Sequence, residues 1–205
     1  MTQLRLYDFA YSGHCHRVAL FLSLLGLPFE TVPVNLAKGE QRKPPFLAVN
    51  PAGQVPVLDD GGLLLAESNA ILVYLARKYA PGSAWLPNDA EGGAEVERWL
   101  SIAAGPLFRG PATARLALSF RAPLDLGTAQ TTAERLFALM ERHLATRDFL
   151  AGPGPTIADV ALYSYTAAAP EGGIPLEPYP AIRAWLGRVE ALPGFRAMPP
   201  LPAAA

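Results

Sequence analysis

The chain has 205 residues, 51% apolar and 17% charged, enough to bury one core or two small ones. With 17 basic against 18 acidic side chains and a net charge of -1, it carries no field that would draw nucleic acid or an anionic membrane surface, and a small or neutral ligand is expected. Its single cysteine, Cys15, excludes an intrachain disulfide and makes a reducing compartment the default.

The opening MTQLRLYDF lacks a basic region followed by an apolar core, so no signal peptide is expected. Residues Leu4–Tyr7 alternate as a strand, and Cys15–Leu25 read as a helix that Gly26 closes, with Pro28 just beyond it. The uncharged run from Val18 to Phe29, at 12 residues, is too short to span a bilayer. A cytoplasmic protein is the expectation. FETVPVN from Phe29 reads as a second strand, which makes a strand–helix–strand crossover. Because the helix is apolar almost all round, it should be covered on two sides. After an irregular stretch at Pro44 and Pro45, QVPVLDDGGLLLAES gives two short strands about an Asp/Gly turn. A helix follows from Ser68 to Tyr79.

From Ala80, APGSAWLPNDA is a connector punctuated by Pro and Gly, and beyond it every strong pattern is helical. A long helical segment from Glu91 to Leu118 is expected to kink near Gly105-Pro106 and Gly110-Pro111. Further helices are expected over Thr131–Thr146, from Thr156, where Thr156 and Asp159 are spaced as a capping box, and over Pro180–Leu192. The tail MPPLPAAA is expected to be loose. No internal repeat is visible.

The stretch YSGHCHR, Tyr11–Arg17, concentrates potentially reactive side chains at the start of the first helix. His14, Cys15 and His16 are consecutive, whereas ligands converging from a helix need a spacing of three or four, so no metal site is expected. Cys15 in the first helical turn would feel the positive end of the helix dipole and the neighbouring Arg17, which favour a thiolate; a small buried thiol fits the position too. Ser12 fits an ordinary N-cap. It would also lie at the carboxyl end of the first strand, where an open α/β sheet offers backbone N–H groups to an anion. A thiolate held there could take a hydrogen bond from the hydroxyl.

NPAGQVPVLDD places Val55-Pro56 ahead of an apolar strand. Were that bond cis, the Val55 backbone could pair with an extended peptide; a plain strand entry is the other possibility. In ESNAIL, Ser68 can cap its helix and hold a carboxylate with the first-turn N–H groups, while Glu67 can answer an ammonium group. Together the three places describe a small peptide with a thiol, a central backbone and an amino-acid head group.

SGHCHRVALFLSLLGLPFE, GEQRKPPFLAVNPAGQVPVLDDG, ESNAILVYLARKY and GPTIADVALYSY, in this order and spacing, resemble the soluble glutathione S-transferases, bacterial ones with a serine-type active-site motif. The resemblance implies an α/β thioredoxin-like domain over 1–79, a linker over 80–90 and an all-α helical bundle over 91–205. It also implies glutathione as cosubstrate without a metal, a small-molecule electrophile held between the domains, and a homodimer. Ser12 matches the residue that activates the glutathione sulfur, with Cys15, aligned with the catalytic cysteine of a bacterial group, as the alternative nucleophile. Gln41, Arg42, Gln54, Val55, Pro56, Glu67 and Ser68 match glutathione contacts. Tyr11, His14, Phe108, Arg109 and Arg115 are candidates for the electrophile pocket, whose apolar and cationic character suits an aromatic or anionic cosubstrate. A disulfide or peroxide reductase working through Cys15, and a binding protein without turnover, are the alternatives.

Overall fold

The computed structural model describes residues 3–201, and these divide into two compact units. The first contains β1 (Leu4–Asp8), α1 (Gly13–Leu24), β2 (Phe29–Pro33), a turn of 3-10 helix (Glu40–Arg42), α2 (Pro44–Leu47), β3 (Val57–Asp60), β4 (Leu63–Ala66) and α3 (Ser68–Tyr79). The strand order is β2-β1-β3-β4. Only β1 and β2 are parallel, with Leu4 opposite Phe29, as the intervening α1 requires. β3 runs antiparallel to β1, with Tyr7 opposite Val57, and to β4, with Val57 opposite Ala66. Gly61 and Gly62, at φ 63° and 99°, make the hairpin turn, a conformation that costs glycine nothing.

Leu4, Leu6, Val57 and Leu58 of the sheet, Val18, Leu20, Phe21 and Leu22 of α1, and Ile71, Leu72 and Leu75 of α3 are buried. They explain the apolar stretch at the start of α3 as core. The side chain of Asp60, fully enclosed, accepts hydrogen bonds from Tyr74 (2.8 Å), Lys78 (2.7 Å) and Tyr79 (2.6 Å). The end of β3 is thereby clamped to α3.

The chain re-enters this unit at Pro193. Ser23 Oγ donates to the Gly194 carbonyl (2.6 Å) and His16 Nε2 to that of Arg196 (2.8 Å). The expected helical domain over 91–205 is corrected accordingly: its carboxyl-terminal part packs on α1, because α1 presents donors to it. Of the tail expected to be loose, 198–201 have no regular structure, and 202–205 lie outside the described residues, as do the first two residues of MTQLRLYDF.

The second unit is helical: α4 (Ala90–Ile102), a π-helical segment (Ala103–Ala112), α5 (Thr113–Ser119), α6 (Leu126–Leu144), α7 (Ile157–Ala167), a 3-10 turn (Ala169–Gly172) and α8 (Pro180–Glu190). The expected kinks merge into one widened stretch containing Pro106 and Pro111. Proline lacks the N–H and clashes with the carbonyl four residues back, and wider turns relieve both conflicts. Thr113 Oγ1 donates to the Phe108 carbonyl (2.8 Å). α6 begins five residues before the expected Thr131, where Asp125 caps it by accepting from Thr128 N. Thr156 and Asp159 form the expected capping box on α7. No helix of the described residues is long and apolar enough to cross a membrane.

Candidate active site

The register of the sheet brings three segments to one end. Val57 lies opposite Tyr7 on one side and Ala66 on the other. The Val55-Pro56 bond, the turn leaving β1 and the Glu67-Ser68 entry to α3 are therefore neighbours.

Ser12 is the N-cap of α1 with extended backbone (φ −84°, ψ 120°). Its Oγ accepts from Cys15 N (3.3 Å). That bond uses an acceptor position of the hydroxyl, not its proton, and the same hydroxyl lies within hydrogen-bonding reach of the Cys15 side chain. The first-turn N–H groups of α1 point the same way, as at any helix start.

The same turn disposes of Cys15 differently. Its side chain is fully buried and Sγ accepts from Phe9 N (3.4 Å). Burial, reinforced by the Asp8 carboxylate, pushes the thiol far above its ordinary range. Of the two readings of Cys15, a thiolate or a small buried thiol, this burial favours the second, because desolvation outweighs the helix end.

His14 is half-buried, and burial together with the Arg17 charge lowers its pKa to about 3, so the ring is neutral at physiological pH. Its Nδ1 lies 3.4 Å from Ser68 Oγ. Arg17, 1% exposed, donates from Nη1 to Ser68 Oγ (3.1 Å) and to Asn69 Oδ1 (2.7 Å). This buried cation joins α1 to the start of α3. Arg17 had been noticed only as a neighbour of Cys15, although a lone charge in an otherwise apolar helix already signals a specific partner.

At α3 the N-cap is Glu67, and Ser68 is the first helical residue, which corrects the expected cap. The Ser68 hydroxyl faces Arg17 instead of its own helix. Glu67 is exposed and has φ 67°, ψ 107°, a backbone region that residues other than glycine rarely enter. Such strain concentrates at functional sites.

The Val55-Pro56 bond is cis. The loop before it is shaped by buried Asn50, whose Nδ2 donates to the Gln54 carbonyl (2.8 Å) and whose Oδ1 accepts from Ala52 N (3.1 Å). Sequence reasoning missed Asn50, a turn-forming side chain ahead of Pro51 and Gly53. Gly53 has φ 63°, and a Cβ there would lie 3.0 Å from the Gln41 carbonyl. That approach sets Gln41 against the Gln54–Pro56 loop; Arg42, beside it, is exposed, as is Gln54.

The N-terminal glutathione S-transferase domain model matches residues 2–77 and the C-terminal one residues 125–193. Glutathione S-transferase 3 of Zea mays is 36% identical over 96% of this chain and 93% of its own. Glutathione S-transferase theta-1 of Mus musculus is 36% identical over 93% and 84%. The chain belongs to the glutathione S-transferase family. A crystal structure of a glutathione S-transferase from Pseudomonas fluorescens, 34% identical, superposes with a TM-score of 0.90 over 96% of this chain and 99% of that one.

The residues expected around a transferase's electrophile divide. In the first unit, Tyr11 is half-buried with its ring against Phe9 (5.6 Å). In the second, Phe108 and Arg109 are exposed on the π-helical segment. Arg115 is 2% exposed, paired with Glu171 (2.5 Å) and set over the Phe120 ring (5.2 Å). Its expected place in the electrophile pocket is corrected to that of an ion-pair partner. Among the described residues no three His, Cys, Asp or Glu side chains assemble into a metal site.

Proposed function

We propose that this glutathione S-transferase uses Ser12 to hold glutathione as a thiolate, which attacks a small electrophile. The observation that carries the reading is the convergence of the Ser12 turn, the cis Val55-Pro56 bond and the Glu67-Ser68 entry at one end of the sheet. The peptide's central backbone pairs with Val55 in the manner of an added strand. Its γ-glutamyl carboxylate sits on the first turn of α3 with Ser68, and its ammonium group faces Glu67. Gln41 and Arg42 serve the glycyl end, and Gln54 is a further glutathione contact.

At the sulfur, the Ser12 hydroxyl donates to the anion while the α1 N-terminus supplies the positive end of its dipole. Lowering a thiol pKa by about two units takes roughly 2.7 kcal/mol, within reach of the two together. The proton leaves to solvent, the thiolate forms a carbon–sulfur bond, and the electrophile's leaving group departs or its double bond takes up a proton. Tyr11, Phe108 and Arg109 are the candidates to contact that electrophile; their aromatic and cationic groups suit an aromatic or anionic one.

Ser12→Ala tests the assignment. It should raise the apparent pKa governing kcat/KM by about one to two units and slow conjugation of an aryl halide at neutral pH about 10- to 100-fold. An unchanged profile would remove Ser12 from the mechanism. A cytoplasmic setting and a role in detoxification accord with a transferase whose only cysteine is a thiol. The homodimer is supported by Leu63 and Leu64, exposed on the edge strand β4, and its check is the mass in solution.

A further inference from the structure

Behind the Ser12 turn, on a face of α1 that the proposed chemistry does not use, lies the strap formed by the returning chain. It touches the helix at His16 and at Ser23, seven residues apart and so on one side of it. The contact is close: Gly194 has φ 83°, and a Cβ there would stand 2.6 Å from the Ser23 carbonyl oxygen. Beyond it, the Arg196 guanidinium lies over the Phe29 ring of β2 (5.7 Å).

His16 is the residue through which this strap reaches the site. Its backbone N–H donates to the Ser12 carbonyl (2.8 Å), closing the first turn of α1, and its ring is bonded to the Arg196 carbonyl (2.8 Å). A carbonyl oxygen only accepts, so Nε2 carries the proton. The ring is 5% exposed, and burial lowers its pKa to about 4, so the donor keeps one form across the working pH range.

We propose that His16 is a positioning residue for sulfur activation: by tying the first turn of α1 to the Gly194–Arg196 strap, it fixes the Ser12 hydroxyl relative to the bound thiol. The inference rests on the assignment of Ser12 above. A charge-assisted hydrogen bond weakens with small errors of distance and angle, and the turn that carries Ser12 has its backbone held from behind by His16.

The test is the pH profile of kcat/KM for glutathione in His16→Leu and His16→Gln. Leucine removes the donor; glutamine's amide can reach the same carbonyl. His16→Leu should raise the apparent thiol pKa by about half a unit to one unit, lowering kcat/KM at pH 6.5 about three- to tenfold, with the KM for the electrophile unchanged. His16→Gln should restore most of it. A His16→Leu protein that melts earlier yet keeps the native profile reduces the contact to a structural one and overturns the proposal.

Should His16→Leu not fold, Gly194→Val displaces the strap from an exposed position and must move the profile in the same direction; a native profile again overturns the proposal. Ser12→Ala, run alongside, separates the two claims. If it moves the profile and the strap variants do not, only the role of His16 falls. If it does not move the profile, the Ser12 assignment falls and the inference with it.

Discussion

At Cys15 two local effects oppose one another. The helix N-terminus favours a thiolate by about 0.5–2 kcal/mol, whereas full burial of an ionisable group can shift its pKa by roughly 3–5 units, each worth about 1.4 kcal/mol. With the side chain fully buried and the Asp8 carboxylate adjacent, burial prevails. A disulfide-exchange reagent at pH 7 should therefore label no thiol in the native protein and one after unfolding; rapid native labelling would contradict the structure. The sequence stretch contained both Ser12 and Cys15 as candidates, and their choice was not legible there, because burial depends on what packs over α1. That Arg17 needs a partner could be read from its apolar helix, but not which groups supply it. Its partners, Ser68 and Asn69, lie on a helix some 50 residues away along the chain.

Among elements, α7 shows how a local signal acquires a distant consequence. The spacing of Thr156 and Asp159 was readable as a capping box, and the structure forms it. The buried Asp159 carboxylate also accepts from Leu150 N (2.9 Å) and from Trp185 Nε1 of α8 (2.8 Å). It therefore joins the loop before α7 to a second helix, which sequence spacing did not reveal. Asp159→Asn turns one acceptor into a donor facing Thr156 N. It should cost about 2–4 kcal/mol of stability, measured as a lowered denaturation midpoint. A change under half a kcal/mol would mean that the carboxylate is dispensable. The π-helical segment was foreseen only as two kinks. Its position follows from the prolines, but its continuity follows from packing: at Gly110 a Cβ would stand 2.8 Å from Ala133 N of α6, so that α6 can approach the widened turns.

For the whole molecule, the strand and helix order was legible from periodicity and turn chemistry, and so was the family. The placement of the chain beyond Leu192 was not, since Gly194 and Arg196 carry no pattern and act through backbone carbonyls. The buried imidazoles also give stability a pH dependence. His14 and His16 are lowered from 6.5 to about 3 and about 4, so between those values and about 6.5 the unfolded chain binds more protons than the native one. Their contribution is complete above about pH 6.5 and is lost as pH falls through about 4 for His16 and about 3 for His14. The carboxyls of Asp8 and Asp159, raised by burial, act in the opposite sense, so the variant comparison isolates the histidines. On acidification from pH 7 to 4.5 the native protein should lose more melting temperature, relative to its value at pH 7, than His16→Gln does. Parallel slopes in the two proteins would contradict the buried, neutral ring.

The return of the chain at Pro193 also orders events during synthesis. The ribosome delivers β1 and α1 early, but the segment that covers the back of α1 emerges only after more than a hundred intervening residues of the second unit. Domains ordinarily fold in the order in which they are made. Here the half that is translated first is completed last, and until then the back of the newborn helix stays uncovered by its own chain.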